Sequence, residues 1–349
     1  MKQLKALFAA SALLAAAFPT WAALAEPLLV RVSAPSPVVR GDVDVLVDVS
    51  VTNPTRAAVS VLRWDLPTNA RDQSHFVITR DGQPVAYTGR LMKRAAPTAA
   101  DYVRIEAGAT LNYSVELTAG YDLSQNGTYA IRYVGDVASA SADTQRAAPL
   151  YLWLEARSGR FPRSAAVNEK AAVVPGTDAI SFTGACSTTQ QTQLTTAVAE
   201  ALTYANNAVS YFTTSKFATQ RFVKWFGPGT KSSFAIAKRN FTAIQSAFAT
   251  QPLTLDCSCT DAGVYAYVFA NAPYKIYACP VFWSAPMTGT DSKAGTLIHE
   301  MSHFTVVAGT QDFAYGQTNA GNLAITNPAN ALRNADNHEY FAENTPVLP

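Results

Sequence analysis

Residues 292–307 read SKAGTLIHEMSHFTVV. Ala294, Leu297, Ile298 and Met301 are fair to good helix formers, so the stretch predicts a helix. On that helix His299 and His303 stand four residues apart and face the same way, so both imidazoles can reach one ion. Glu300, between them, is placed to contact a water at that ion. Neutral imidazole nitrogens suit zinc, which makes a nucleophile of water at neutral pH. A His-Glu-x-x-His match also arises by chance, as two surface histidines on an amphipathic helix. The scarcity of histidine elsewhere weighs against chance: of four in the chain, His299, His303 and His338 lie beyond residue 298 and only His75 lies before it.

A catalytic zinc needs a third protein ligand and an open position. A third histidine in the His-Glu-x-x-His-x-x-Gly-x-x-His spacing is excluded, because Val306 stands where glycine is required and Gly309 where histidine is required. Glu339 and Glu343 are candidates from a downstream segment. Asp312 is the nearest acidic residue after the motif, and Gly309 between them can end the helix and turn the chain back.

Working outward, the chain has 349 residues, of which 48% are hydrophobic and 15% charged. That is enough for two domains with sizeable cores and argues against disorder. The net charge is +2, and residues 171–349 carry nine Lys/Arg against ten Asp/Glu. No basic stripe is available for a nucleic-acid partner. Lys2 and Lys5 flank an apolar run at 6–18 too short to span a bilayer, and Ala23-Leu24-Ala25 offers small residues for cleavage. Residues 1–25 therefore read as a signal peptide, with cleavage after Ala22 as an alternative, and a secreted, extracellular product is expected. No later segment reads as a membrane span.

Export makes disulfides the default reading of Cys186, Cys257, Cys259 and Cys279. One residue separates Cys257 from Cys259, which disfavours a bridge between them. Of the two remaining pairings, Cys186–Cys257 with Cys259–Cys279 is preferred. A cysteine-ligated zinc is the weaker alternative, because Cys-x-Cys lacks the usual spacer.

Residues 26–160 read as all-β. Alternating or β-branched stretches recur at 28–32, 43–51, 58–64, 76–79, 102–105, 111–117, 129–133 and 150–154, with turn signals such as Asp81-Gly82 and Asn126-Gly127 between them. This spacing suggests a sandwich of antiparallel sheets. His75 reads as an exposed loop histidine. Residues 161–180 form a polar, basic linker. From 181 to 349 helical periodicity takes over at 190–212, 231–248 and 292–307, with short strands at 253–257, 264–269 and 275–279, giving an α+β and mainly helical domain.

Gly309-Thr310-Gln311-Asp312-Phe313-Ala314-Tyr315-Gly316 fits the Gly-Thr-x-Asp-x-x-Tyr-Gly signature of the aspzincins, the deuterolysin-type metallopeptidases. With His299–His303 it makes a specific two-part match, and most of residues 180–349, including Trp225-Phe226-Gly227 and the cysteine spacing, resembles the peptidyl-Lys metalloendopeptidases. The resemblance implies a zincin-type domain in which His299, His303 and Asp312 bind one zinc. It implies that Glu300 is general base and acid and that Tyr315 donates a hydrogen bond to the oxyanion. The preferred cysteine pairing matches the family's pattern. Asp336 and Glu339 match the two carboxylates that form a lysine pocket in the peptidyl-Lys subgroup, which implies cleavage on the amino side of lysine. Without the resemblance, Asp336 and Glu339 also read as a capping box opening a helix, and His338 as a surface position.

The N-terminal half carries no catalytic constellation and reads as a propeptide that keeps the enzyme latent. Glu169–Lys170 is the expected self-processing bond, the chain's own propeptide the expected intramolecular inhibitor, and proteins or peptides the expected substrates. Two other classes stay open at this level. One is a gluzincin-like zinc hydrolase with Glu339 or Glu343 as third ligand. The other is a non-enzymatic secreted β-sandwich adhesin whose histidine motif is accidental.

Overall fold

The structure is a computed structural model and describes residues 28–135, 148–159, 180–215 and 219–349. The expected signal peptide, most of the linker and the Glu169–Lys170 bond lie outside these residues.

The N-terminal part carries strands β1 (Leu29–Ser33), β2 (Val38–Arg40), β3 (Leu46–Thr52), β4 (Val59–Leu62), β5 (Phe76–Arg80), β6 (Gln83–Pro84), β7 (Arg90–Arg94), β8 (Tyr102–Ile105), β9 (Thr110–Glu116), β10 (Gly127–Tyr133) and β11 (Leu150–Glu155). The expected strand stretches correspond to β1, β3, β4, β5, β8, β9, β10 and β11. One sheet has the order β1-β3-β9, a second β2-β11-β10-β5-β6, and β4 pairs with β8 alone. Alternation drives this half: Val47, Val49 and Val51 of β3 face Tyr129 and Ile131 of β10 and Leu152 of β11 in one apolar core,.

The C-terminal part runs β12 (Ile180–Thr183), α1 (Thr188–Thr214), α2 (Gln220–Phe226), α3 (Lys231–Thr250), β13 (Leu253–Asp256), β14 (Val264–Phe269), β15 (Lys275–Ala278), α4 (Pro280–Ser284), α5 (Lys293–His303), α6 (Gly316–Thr326), α7 (Pro328–Ala331) and α8 (Ala335–Glu343). Ser187 and Gln190 form a capping box that starts α1, and Thr230 with Ser233 starts α3,. Leu194, Ala197 and Ala201 of α1, Phe241 and Ile244 of α3, and Leu297, Ile298 and Met301 of α5 share a second core with Leu255, Val268 and Ile276 of the sheet. Cys186–Cys257 and Cys259–Cys279 are the two disulfides. Among the described residues no helix is long and apolar enough to cross a membrane.

The two halves are not separate packing units. Strand β7 leaves the N-terminal sheets and pairs antiparallel with β14, completing a sheet of order β12-β13-β15-β14-β7. Its Leu91 is buried in the C-terminal core. The sequence Arg-Leu-Met-Lys-Arg lacks an alternating apolar pattern, because its polar side chains find partners in the other half. Arg90 bridges Asp72 and Asp261, each at 2.6 Å, and lies over the Tyr267 ring. His75 corrects its expected exposure: it lines a cavity of about 270 Å³ with Trp64, Arg94 and Tyr315. Burial, then Arg94, push its pKa down to about 4, so the ring is neutral,.

Helix α8 crosses α5 closely enough that Gly295 has no room for a side chain. A Cβ there would sit 2.0 Å from Glu343 Oε1. That carboxyl cannot retreat freely, since it accepts from the Ser292 amide, the Ser292 hydroxyl and the Asp291 amide. Alanine in a helix is ordinarily favoured over glycine by about 1 kcal/mol, but overpacking costs about 1–3 kcal/mol. Gly295→Ala is therefore expected to lower the melting temperature of the full chain, and a raised melting temperature would contradict this packing.

Candidate metal centre and catalytic site

Helix α5 is buried along its whole length, with Ser292 as N-cap accepting from the Gly295 amide. His299 and His303 are fully buried, their ring centroids 4.8 Å apart. After α5 the chain turns, Gly309 adopting a left-handed φ of 61°, and the Thr310 amide returns to the Ser302 carbonyl. That turn carries Asp312 back to the two imidazoles. Asp312 Oδ1 lies 3.1 Å from His299 Nε2 and 3.4 Å from His303 Nε2.

Tautomers follow from the opposite ring edges. His303 Nδ1 is 3.0 Å from the Thr310 carbonyl, which can only accept, so Nδ1 carries the hydrogen,. His299 Nδ1 is 2.7 Å from Asp336 Oδ1. His303 Nε2 therefore turns a lone pair toward Asp312 Oδ1, and among the described residues His299 Nε2, His303 Nε2 and Asp312 Oδ1 are all buried without a hydrogen-bond partner,. A tetrahedral zinc with bonds of about 2.0–2.1 Å separates its ligand atoms by roughly 3.3 Å. The observed spacings and the nitrogen–oxygen donor set fit such an ion.

The turn at Asp312 is held by a residue the sequence did not single out. Asn334 Oδ1 accepts from the Phe313 and Ala314 amides, and its Nδ2 donates to the Ala314 carbonyl and to Asn337 Oδ1. Buried neutral amides leave no periodic or charge signal, so only the folded chain reveals this clamp. Asp336 does not cap α8, whose N-cap is Asn334; its Oδ2 accepts from the Gly316 amide. It thereby ties the start of α6 to His299, the kind of outer-shell carboxylate that orients a ligating ring. Glu343 reaches the N-terminal end of α5 through Ser292, and Glu339 Oε2 approaches the Nδ1 edge of His299 at 3.5 Å. Neither faces the two Nε2 atoms as Asp312 does. His338 is buried rather than on the surface, its Nδ1 on the Asn334 carbonyl and its Nε2 on Asn240; burial pushes its pKa down to about 4.

Glu300 is fully buried, and desolvation pushes its carboxyl up to about 7 despite the two histidines. A carboxyl poised there can both take and give a proton near neutrality. Tyr315 precedes α6 and stacks edge-on with Trp64. Burial raises its hydroxyl well above the usual tyrosine range, and Asp312 adds to the effect, so it remains a donor.

Strand β7 runs through this site. The Met92 amide donates to Asp312 Oδ2 at 2.9 Å, and the Lys93 amide to Glu300 Oε1 at 3.0 Å. The Lys93 ammonium enters an acidic pocket, 2.7 Å from Glu339 Oε2, 2.9 Å from Asp291 Oδ1 and 4.0 Å from Asp336 Oδ1. The rings of Tyr265 and Tyr340 flank it, and the Tyr340 hydroxyl donates to Asp291 Oδ1. Burial alone would lower the Lys93 pKa, but Glu339 and Asp336 hold it well above its ordinary value. Asp291, the third carboxylate around this ammonium, sits in a loop with no motif around it, so nothing in the chain singles it out.

This geometry agrees with what the chain resembles. The family model described as lysine-specific metallo-endopeptidase, the aspzincin model, matches residues 211–343. An extracellular protease of Aeromonas hydrophila is 45% identical over 312 residues, covering 87% of this chain and 89% of that one. A peptidyl-Lys metalloendopeptidase of Grifola frondosa is 36% identical over 285 residues, covering 78% and 80%. The solved zinc peptidase from Grifola frondosa is 45% identical, covers 47% of this chain and 100% of its own, and superposes with a TM-score of 0.46. With buried histidines and a carboxylate spaced for zinc, the family model matched, and the Aeromonas and Grifola proteases 45% and 36% identical over 87% and 78% of this chain, the chain belongs to the aspzincin family and is a zinc metalloendopeptidase.

Proposed function

We propose that this chain is the secreted, latent precursor of an endopeptidase that cleaves on the amino side of lysine. Residues 1–25 direct export, 26–160 are the propeptide, 161–180 hold the expected processing bond Glu169–Lys170, and 181–349 are the catalytic domain. His299, His303 and Asp312 hold the zinc. The observation that carries the reading is Lys93: a lysine side chain sits between Glu339 and Asp291 while its own amide nitrogen touches Glu300. A substrate lysine taking the same place puts the nitrogen of its peptide bond at the catalytic carboxyl.

Zinc, when bound, supplies Lewis-acid activation of water and of the scissile carbonyl at neutral pH. Glu300 takes the proton of the attacking water and delivers it to the lysine nitrogen as that amine leaves. The Tyr315 hydroxyl donates to the oxygen that becomes negative. Asp336 holds His299 in its tautomer and, with Glu339 and Asp291, fixes the ammonium. Long-chain cations are selected because the pocket's buried carboxylates are unpaired without one.

Latency follows from the same contacts. Strand β7 covers the edge of β14, which a peptide substrate needs for main-chain pairing, and Lys93 fills the pocket,. The propeptide thus acts as an intramolecular inhibitor by occupying the substrate's place.

Glu300→Gln is expected to keep stoichiometric zinc by elemental analysis while caseinolysis falls by about 10²–10⁴-fold. Asp312→Ala is expected to lose most of its zinc. Wild-type turnover in the first, or full zinc in the second, contradicts these roles. Digestion of a denatured protein should yield new N-termini dominated by lysine, and Glu339→Gln should lower kcat/KM at lysine by about a hundredfold or more, the scale of an unbalanced buried charge. New N-termini not enriched in lysine would remove the pocket assignment and leave the zinc chemistry standing.

A further inference from the structure

We infer that the Met92–Lys93 peptide bond is itself a processing site, cut by the chain's own catalytic centre while the N-terminal half remains folded in place. The inference rests on the peptidyl-lysine reading and goes beyond it, because occupancy alone requires only that β7 block the cleft. A blocking strand could lie in either direction and in any register. This one lies antiparallel to β14 with Met92 opposite Tyr267 and Lys93 opposite Ala266. Its register places the Lys93 ammonium on Glu339 and the Lys93 amide nitrogen 3.0 Å from Glu300 Oε1. It places the Met92 amide on Asp312, so the residue that contributes the acyl side of the bond touches the His299–His303–Asp312 cluster and the nitrogen of the bond touches the proton carrier. Those are the positions that cleavage on the amino side of lysine demands of a substrate.

The step is hydrolysis. Water oxygen bonds to the Met92 carbonyl carbon, the carbon–nitrogen bond to Lys93 breaks, Met92 leaves as a carboxylate, and the Lys93 nitrogen takes both protons of the water, carried by Glu300, and departs as an ammonium. The product does not fall apart. Strands on either side of the cut pair with one another: β3 with β9 over seven residue pairs, β5 with β10, and β4 with β8. Arg90, before the cut, stays tied to Asp261, and Ala95, after it, donates to the Gly263 carbonyl. The nick therefore opens the inhibitory strand without immediate release of the N-terminal half. Met92 and Lys93 are both buried, which shields the bond from other molecules of the enzyme.

The test uses the full-length chain loaded with zinc, sampled over time by denaturing mass spectrometry and by native gel filtration. The expected result is a fragment beginning at Lys93 that forms at a rate independent of chain concentration and co-elutes with the catalytic half until denatured. Glu300→Gln should give no such fragment, even when mixed with active enzyme, and Lys93→Ala should lose this cut. An intact Met92–Lys93 bond in chains already cut before other lysines overturns the inference while leaving the peptidyl-lysine reading intact. So does a Lys93 N-terminus whose rate rises with concentration, or one that appears in Glu300→Gln chains mixed with active enzyme. Absence of any cut before lysine, in the chain or in denatured casein, instead brings down the reading on which it rests.

Discussion

Three buried polar atoms converge without a hydrogen-bond partner among the described residues: His299 Nε2, His303 Nε2 and Asp312 Oδ1. Leaving such atoms unpaired costs about 1–3 kcal/mol each, and more where charge is involved. The fold nevertheless holds them rigidly, through the Thr310 carbonyl on His303, Asp336 on His299, and the Asn334 clamp on the turn that carries Asp312. A divalent cation would resolve the conflict, and on the proposed reading the surrounding contacts would hold these three atoms at its coordination distances,.

The same accounting extends to charge. Glu300, Asp312, Asp336, Glu339 and Glu343 are all largely buried around helices α5 and α8. Desolvation pushes Glu343 up to about 9, which keeps it neutral as it grips Ser292. The remaining carboxylates need cations. The metal answers one side of His299 and a lysine ammonium the other. In this structure Lys93 supplies that ammonium; on the function proposed above, its removal would leave Asp336 and Glu339 to take a substrate lysine. The proposed latency and the proposed specificity would both follow from one electrostatic demand, since breaking a buried ion pair costs about 3–5 kcal/mol.

Much of this was legible in the chain. Helical spacing put His299 and His303 on one face, and alternation gave β3, β9 and β10. What escaped reading depended on contacts distant in sequence. Strand β7 carries Arg90 and Lys93, charged residues that look like surface until Asp261 and Glu339 are brought to them by the fold. His75 and His338 read as exposed because polar neighbours in sequence say nothing of what packs over them. Asp336 and Glu339 read equally as a capping box, since capping and pocket use the same spacing; only the position of Asn334 as N-cap separates the two. Asp291 and Asn334 act through single side chains in loops, where no period exists to betray them.

The most direct measurement is an anomalous-diffraction map at the zinc edge from crystals of the zinc-loaded full-length chain. One strong peak is expected within bonding distance of His299 Nε2, His303 Nε2 and Asp312, with the Lys93 ammonium between Glu339 and Asp291. A peak bound by Glu339 or Glu343 with Asp312 turned away, or no peak between the two histidines, would contradict it.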